Sequence, residues 1–485
     1  MTTTHDIVQK LWRLCDVLRD EGITYQDYVT ELTWLLFLKM EQETRDQREH
    51  YDLPEGHRWE DLVALRGTDL SVFYRELLLH LGTKTEGIVL AIYADASTSI
   101  RKPATLEKLV KDIDALDWYD AKQEGLGDLY EGLLEKNAAE KKSGAGQYFT
   151  PRPLIDSMAS LMQPRPGEVI QDPAAGTGGF LIAADRFMRE TGKGYYDLDE
   201  QLQLFMSKEA FYAVELVPET HRLLLMNLML HGIRGSFPSG DSLSSLGADL
   251  PRADLILTNP PFGTKKGGGG PTRDDFTYPT SNKQLAFLQH IYRGLKPGGR
   301  AAVVLPDNVL FEENTGTKIR QDLMDKCNLH TILRLPTGIF YAQGVKTNVL
   351  FFQRGIDKKG NTKDEGNTEQ VWFYDMRTNM PSFGKRTPLT REHFAEFEKA
   401  YGKNVDGTSK RKDQGEEGRF RVFTREDIAK RGDNLDISWL RDENAQDHED
   451  LGEPDEIAAE IMEHLQTAMS ELEALNSLLA DGATS

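Results

Sequence analysis

The chain has 485 residues, 39% of them hydrophobic, with a formal net charge of −20, and that length can bury a substantial core in two or three domains. Its two cysteines, Cys15 and Cys327, exclude a disulfide framework and a cysteine-rich metal site. Affinity for nucleic acid is dominated by phosphate neutralisation, so a chain this acidic has a poor electrostatic footprint of its own for DNA or RNA.

The opening MTTTHDIVQKLW lacks the apolar core of a signal peptide, and the longest aliphatic stretch, near Trp34 to Leu38, is too short to cross a bilayer. A soluble, cytoplasmic chain with no membrane partner is expected. Ile7, Leu11, Leu14 and Leu18 recur at helical spacing, and TYQDYVTELTWLLFLKMEQET keeps the same period. Residues 1–140 are therefore expected to form a helical domain, most simply a docking or packing module.

From Gly146 to about Gln353 the pattern alternates between apolar strands and helices. The strands are read as EVIQD, FYAVEL, ADLILTN, GRAAVVLP, HTILRLP and TNVLFFQ. The fold class that follows is α/β, a doubly wound sheet within a domain spanning 141–440. The first strand opens into Asp172-Pro173-Ala174-Ala175-Gly176-Thr177-Gly178-Gly179 and then the apolar helix LIAADRFM. Glycines there let the backbone approach a nucleotide-like ligand, and the helix start supplies unpaired N–H groups. A dinucleotide fingerprint would want a final glycine where Leu181 stands, so the NAD reading departs from its pattern.

The second strand ends at Glu215, well placed to accept from two ribose hydroxyls. After HRLLLMNLMLHG a further acidic turn brings Asp241, able to accept from an adenine amine. Each carboxylate alone fits a solvated strand end as well as a ligand. In the order Gly-rich turn, Glu, Asp and Asn259-Pro260-Pro261-Phe262, one for each β-α unit, they fit S-adenosylmethionine. The last tetrapeptide follows an apolar strand. Proline fixes its own φ and extends the residue before it, so the Asn259 side chain and the Pro260 carbonyl can serve as paired acceptors for a planar amine. Phe262 then offers a stacking face. The bland alternative is an ordinary strand-to-loop turn, for which Asn-Pro is good chemistry.

Residues 263–283 are Gly-rich and polar, a length that suits a lid, a binding loop or disorder. Residues 354–370 are expected as a solvated excursion between two strands, and 401–418 as a flexible polar stretch. From Asp442 to Glu463 there are ten acidic residues and no Lys or Arg. Ile461, Leu465, Ala468, Leu472, Leu475 and Leu479 then step by four and three, as in a heptad seam. Residues 441–485 are expected to be an acidic linker and a C-terminal helical tail, packed either on the chain's own domain or on another subunit.

With GQYFTP, DPAAGTGGF, TNPPFG, TSNKQLAF, PGGRAAVVLPDNVLF, TILRLPTGIFYAQGVKTNVLFF and LDISWL in place, the chain resembles, along essentially its whole length, the modification (M) subunit of type I restriction-modification systems, near the type IA or K family. The resemblance implies a Rossmann-like, S-adenosylmethionine-dependent N6-adenine DNA methyltransferase that protects host DNA from restriction. It also implies partners: a specificity (S) subunit, a second M subunit, restriction (R) subunits, and double-stranded DNA carrying a bipartite target.

Carried over by residue, Gln147, Tyr148, Phe149 and Thr150 would line the methionine end of the cofactor, with Thr150 near its carboxylate. Asp172, Pro173, Ala174, Gly176, Thr177, Gly178 and Gly179 would wrap the methionine and sugar, Glu215 would take the ribose, and Asp241 the adenine ring. Asn259, Pro260, Pro261 and Phe262 would hold the flipped target base. Related amino-methyltransferases often carry Tyr where Phe262 stands; both rings stack. No metal is called for, and neither cysteine follows a proline as a covalent cytosine mechanism would need. The alternatives are a protein or ribosomal-RNA amino-methyltransferase, a DNA methyltransferase with its own recognition domain, and a non-catalytic assembly scaffold.

Overall fold

The computed structural model describes residues 4–19, 22–23, 25–45, 53–116, 118, 126–140, 149–262, 271–340, 345–381, 383–384, 387–440 and 462. The C-terminal heptad, apart from Met462, and the stretch 263–270 lie outside these residues. Two compact units divide the chain. One comprises 1–142, 176–178 and 215–239; the other comprises 143–175, 179–214 and 240–485.

The first unit is helical, with Thr4–Arg19, Tyr25–Thr44, Gly67–Lys84, Pro103–Asp114 and Leu126–Glu140 as its longer elements. Every residue from 31 to 41 is buried, so the second helix runs through the middle of the unit and not along its surface. That position puts Glu31 inside. Tyr74 Oη donates to its Oε2 at 3.0 Å and Ser99 N to its Oε1, while burial pushes its pKa up to about 6.

The helix Pro218–Leu230 belongs to this unit as well, because Leu225, Met226, Met229 and Leu230 join the same apolar cluster as Leu11, Phe37 and Tyr130. Here the compact units depart from a single cut near residue 140. At the helix end, the His231 ring lies against Gly127, where a Cβ would stand 2.7 Å from Cε1.

The second unit holds a sheet whose strands run β2-β1-β4-β5-β7-β6-β8-β9, numbered in chain order with the two-residue β3 (Gly235–Ser236) assigned to the first unit. These strands are β1 (Ile170–Asp172), β2 (Phe211–Ala213), β4 (Ala253–Thr258), β5 (Leu295–Pro306), β6 (Cys327–Arg334), β7 (Thr347–Arg354), β8 (Gln370–Asp375) and β9 (Phe420–Thr424). β1 pairs in parallel with both β2 and β4, and β4 with β5. β5 and β4 read as near-continuous apolar runs because both faces are covered.

All six strands expected from the pattern form. The helical alternation breaks once: no helix lies among the described residues between β6 and β7, and β7 returns antiparallel between β5 and β6.

Two further differences concern segments read as loose. Residues 401–418 are tied to β6. Arg411 Nη1 donates to Thr331 Oγ1 at 2.9 Å, its Nε to Tyr401 O at 3.0 Å, and Gly407 turns at φ +77 against the His330 ring. The polar composition conceals that one arginine and one glycine anchor it. Residues 354–370 are mostly exposed, as expected, yet Thr368 Oγ1 donates to Cys327 O at 2.6 Å and Asn367 Nδ2 to Asp325 O at 2.6 Å.

Candidate functional site

After β1 the chain moves outward to β2, and it re-enters the sheet on the other side of β1 as β4. Such a reversal leaves a crevice beyond the C-terminal ends of the two strands, the usual place for a ligand in an open α/β sheet. The Asp172 turn follows β1 and the Asn259 tetrapeptide follows β4, so residues 86 positions apart in sequence meet at one edge.

In the sheet unit, Asp172 is buried and its Oδ1 accepts from Thr258 Oγ1 at 2.7 Å and from Ala174 N at 3.1 Å. One carboxylate oxygen thus joins the ends of both strands and shapes the turn. Ser242 Oγ donates to Pro173 O at 2.5 Å, bringing the acidic turn to the same place. There Asp241 Oδ1 accepts from Leu243 N at 2.8 Å, closing its own turn.

Asn259 Nδ2 donates to Thr150 Oγ1 at 2.9 Å, which fixes the amide. Its Oδ1 is buried and has no hydrogen-bond partner among the described residues. A buried acceptor left unmade costs free energy, so such atoms in native structures call for an explanation. Pro260 is buried and Pro261 exposed. Phe262 is only 6% exposed, its ring edge-on to Phe340 at 5.5 Å and 86°. The ring expected from the sequence as a stacking surface is therefore largely buried, with Phe340, from the turn after β6, packed against it. Phe149 and Thr150 are partly buried, whereas Gln147 and Tyr148 lie outside the described residues.

In the helical unit, Gly176 has φ +54 and Gly178 φ +86, a left-handed conformation that favours glycine. A Cβ on Gly178 would stand 2.8 Å from Leu224 Cδ1, whereas one on Gly176 would meet nothing within 4 Å. Thr177 O accepts from the buried Asn227 Nδ2 at 2.8 Å. Glu215 is buried, and burial raises its pKa against the opposing pull of backbone donors. Gly176 N donates to its Oε2 at 2.9 Å and Val217 N to its Oε1 at 2.8 Å. Each oxygen keeps a lone pair for a further donor.

Sequence reasoning missed Thr258, Phe340 and a brace at the end of β5. Arg377 grips Asp307 with both Nη atoms at 2.7 and 2.9 Å, Asn348 Nδ2 adds a bond at 2.7 Å, and these hold the Asp307 carboxyl below the usual range. The only signal for it was charged residues immediately after strands.

A largely parallel sheet with an antiparallel strand inserted between β5 and β6, a Gly-rich turn and an Asn-Pro-Pro-Phe end define an S-adenosylmethionine-dependent type of methyltransferase fold. The N-6 DNA Methylase family matches residues 121–449, and the HsdM N-terminal domain family matches 7–113. The chain is 52% identical to the type I restriction enzyme EcoKI methylase subunit of Escherichia coli (strain K12), over 97% of its own length and 94% of that protein. It is 51% identical to the StySPI methylase subunit of Salmonella potsdam, over 99% and 96% of the two chains. The crystal structure of the EcoKI M protein superimposes with a TM-score of 0.59 at 48% identity, covering 98% of this chain and 96% of that one. The chain belongs to the methylase subunits of type I restriction enzymes, within the N-6 DNA methylases.

Proposed function

We propose that the chain transfers the methyl group of S-adenosylmethionine to N6 of an adenine flipped out of duplex DNA, with Asn259 as the residue that holds the reacting amine. The observation that carries this is the buried Asn259 Oδ1, an acceptor at the end of β4 without a hydrogen-bond partner among the described residues, while Thr150 holds the amide nitrogen.

Within the helical unit, the residues present suit the cofactor's sugar. The open space above Gly176 admits a ligand against the backbone, and Glu215 retains acceptor capacity for the ribose hydroxyls. The family resemblance, and not the relative placement of the two units, gives Asp241 to the adenine ring and Phe149 and Thr150 to the methionine end. S-Adenosylmethionine supplies an electrophilic methyl on sulfur.

The chain's own groups do the positioning. Asn259 Oδ1, with the Pro260 carbonyl, accepts from the two N6 hydrogens, which favours a pyramidal nitrogen whose lone pair faces the methyl. Charge building on that nitrogen is met by these fixed dipoles, without a covalent intermediate. Unstacking the base costs about a few kcal/mol. Contact with Phe262 can return about 1–3 kcal/mol of that, provided the Phe262–Phe340 pair parts to admit the ring.

The acidity of the chain gives it a poor electrostatic footprint of its own on DNA. Target choice is therefore assigned to a specificity subunit, with a second copy of this chain completing the methylase and restriction subunits joining the larger enzyme. The test is tritium transfer from S-adenosylmethionine to duplex DNA, with and without a co-purified specificity subunit. Transfer should appear with the partner and be lost in Asn259→Ala. Full transfer by that variant overturns the assignment of the tetrapeptide.

A further inference from the structure

A cavity of about 410 Å³ in the sheet unit is lined by Arg252, Arg273, Arg293, Lys326 and Arg354, against Asp275 and Asp364, in a chain whose net charge is −20. Three of these cations are already paired. Arg273 holds Asp275 at 2.7 and 2.6 Å, and Arg354 holds Asp364 and the Lys326 carbonyl. Lys326 meets Asp322 at 2.5 Å from one side. Arg252 is exposed and makes no ion pair among the described residues, and Arg293 gives Nη1 to Thr277 Oγ1 at 2.6 Å, a neutral partner.

His290 also lines the cavity and is 4% exposed. Its Nδ1 lies 2.7 Å from Arg273 Nη1. A guanidinium only donates, so Nδ1 must accept, and the ring proton is on Nε2. Burial, together with the charge of Arg273, pushes the pKa down to about 3 and keeps the ring neutral. Nε2 is nevertheless buried and has no hydrogen-bond partner among the described residues.

We propose that this cavity binds a phosphate group, with His290 Nε2–H as its buried donor and Arg252 and Arg293 as the cations that meet its oxygens. A neutral N–H fixed by an arginine needs an acceptor, and the uncommitted positive charge beside it selects an anion. Several donors around one volume match the several oxygens of a phosphate better than a single carboxylate. The volume is that of a small-molecule site. The same chemistry is offered by a free phosphorylated compound and by a phosphodiester of DNA.

Calorimetric titration of the full-length chain with pyrophosphate, and separately with a short DNA duplex, tests this. Arg252→Glu combined with Arg293→Glu alters side chains at the cavity rim, and His290→Phe removes the buried donor. Pyrophosphate affinity should fall at least about tenfold in the double variant, because a hydrogen bond to a charged group contributes more than that factor. His290→Phe should weaken it as well. If only duplex binding shows this dependence, the phosphate is supplied by DNA. If neither ligand binds saturably, or neither notices the substitutions, the proposal is overturned. Methyl transfer does not enter the measurement, so its result stands apart from the reading of Asn259.

Discussion

At the end of β1, Asp172 gives Oδ1 both to Thr258 and to the backbone of its own turn, whereas at the end of neighbouring β4 Asn259 ties down Nδ2 alone and leaves Oδ1 unmade. Both side chains lean on a threonine hydroxyl, and both lie at the same edge of the sheet. Through its Oδ1 the carboxylate stabilises the turn it belongs to, while the amide is held through its nitrogen and can present its oxygen, preorganised, to an incoming group.

Asn259→Ala is the strongest way to break the comparison. Loss of a transition-state acceptor should lower methylation by roughly 10²-fold or more, with cofactor and DNA binding retained. Measured kcat in the complex with the specificity subunit, alongside cofactor affinity by calorimetry, decides it.

Thr258→Val addresses the other strand end. It removes the hydroxyl from a buried carboxylate and should cost about 1–3 kcal/mol of stability. The melting temperature falls accordingly, and Thr258→Ser restores most of it. A drop in kcat with an unchanged melting temperature would place Asp172 in the chemistry instead.

The glycines sharpen the contrast further. Gly176→Ala and Gly178→Ala both impose a left-handed conformation on an L-residue, at roughly 1–2 kcal/mol each. Only the Gly178 methyl also collides with Leu224, 2.8 Å away, so it should melt lower. The Gly176 methyl enters open space and should instead weaken S-adenosylmethionine binding, read by titration.

Much of this arrangement was legible in the sequence because it is local. ADLILTN forms β4 as Ala253–Thr258, and the Gly-rich turn follows a strand and opens the helix Gly179–Thr191, as its composition suggests. What escaped is what distance along the chain conceals. Thr258 reaches Asp172 across 86 positions, and Thr150 reaches Asn259 across 109. Phe340 covers Phe262 from another loop, and no periodicity announces such a partner. The helix Pro218–Leu230 read as one crossover among several, yet Leu224 to Leu230 are all buried, an environment a single sheet face does not supply. The polar tract 401–418 is solvated over much of its length, yet Tyr401 is buried and Arg411 Nε donates to its carbonyl.

Thr150 carries the smallest and most discriminating prediction. Its hydroxyl was assigned to the methionine carboxylate of the cofactor, but the bond it makes is to Asn259 Nδ2 at 2.9 Å. Thr150→Val keeps the shape and removes the acceptor, a loss of about 0.5–1.5 kcal/mol for an ordinary hydrogen bond. If the hydroxyl positions Asn259, the amide gains freedom to rotate away from the base, and kcat should fall by roughly threefold to tenfold with KM for S-adenosylmethionine unchanged. Thr150→Ser, which keeps the acceptor, should recover the rate. If the hydroxyl serves the cofactor instead, KM rises and kcat at saturation holds. A side chain can do both, and the two constants would then move together, so steady-state kinetics on three proteins apportions one hydroxyl between the cofactor and the catalytic amide.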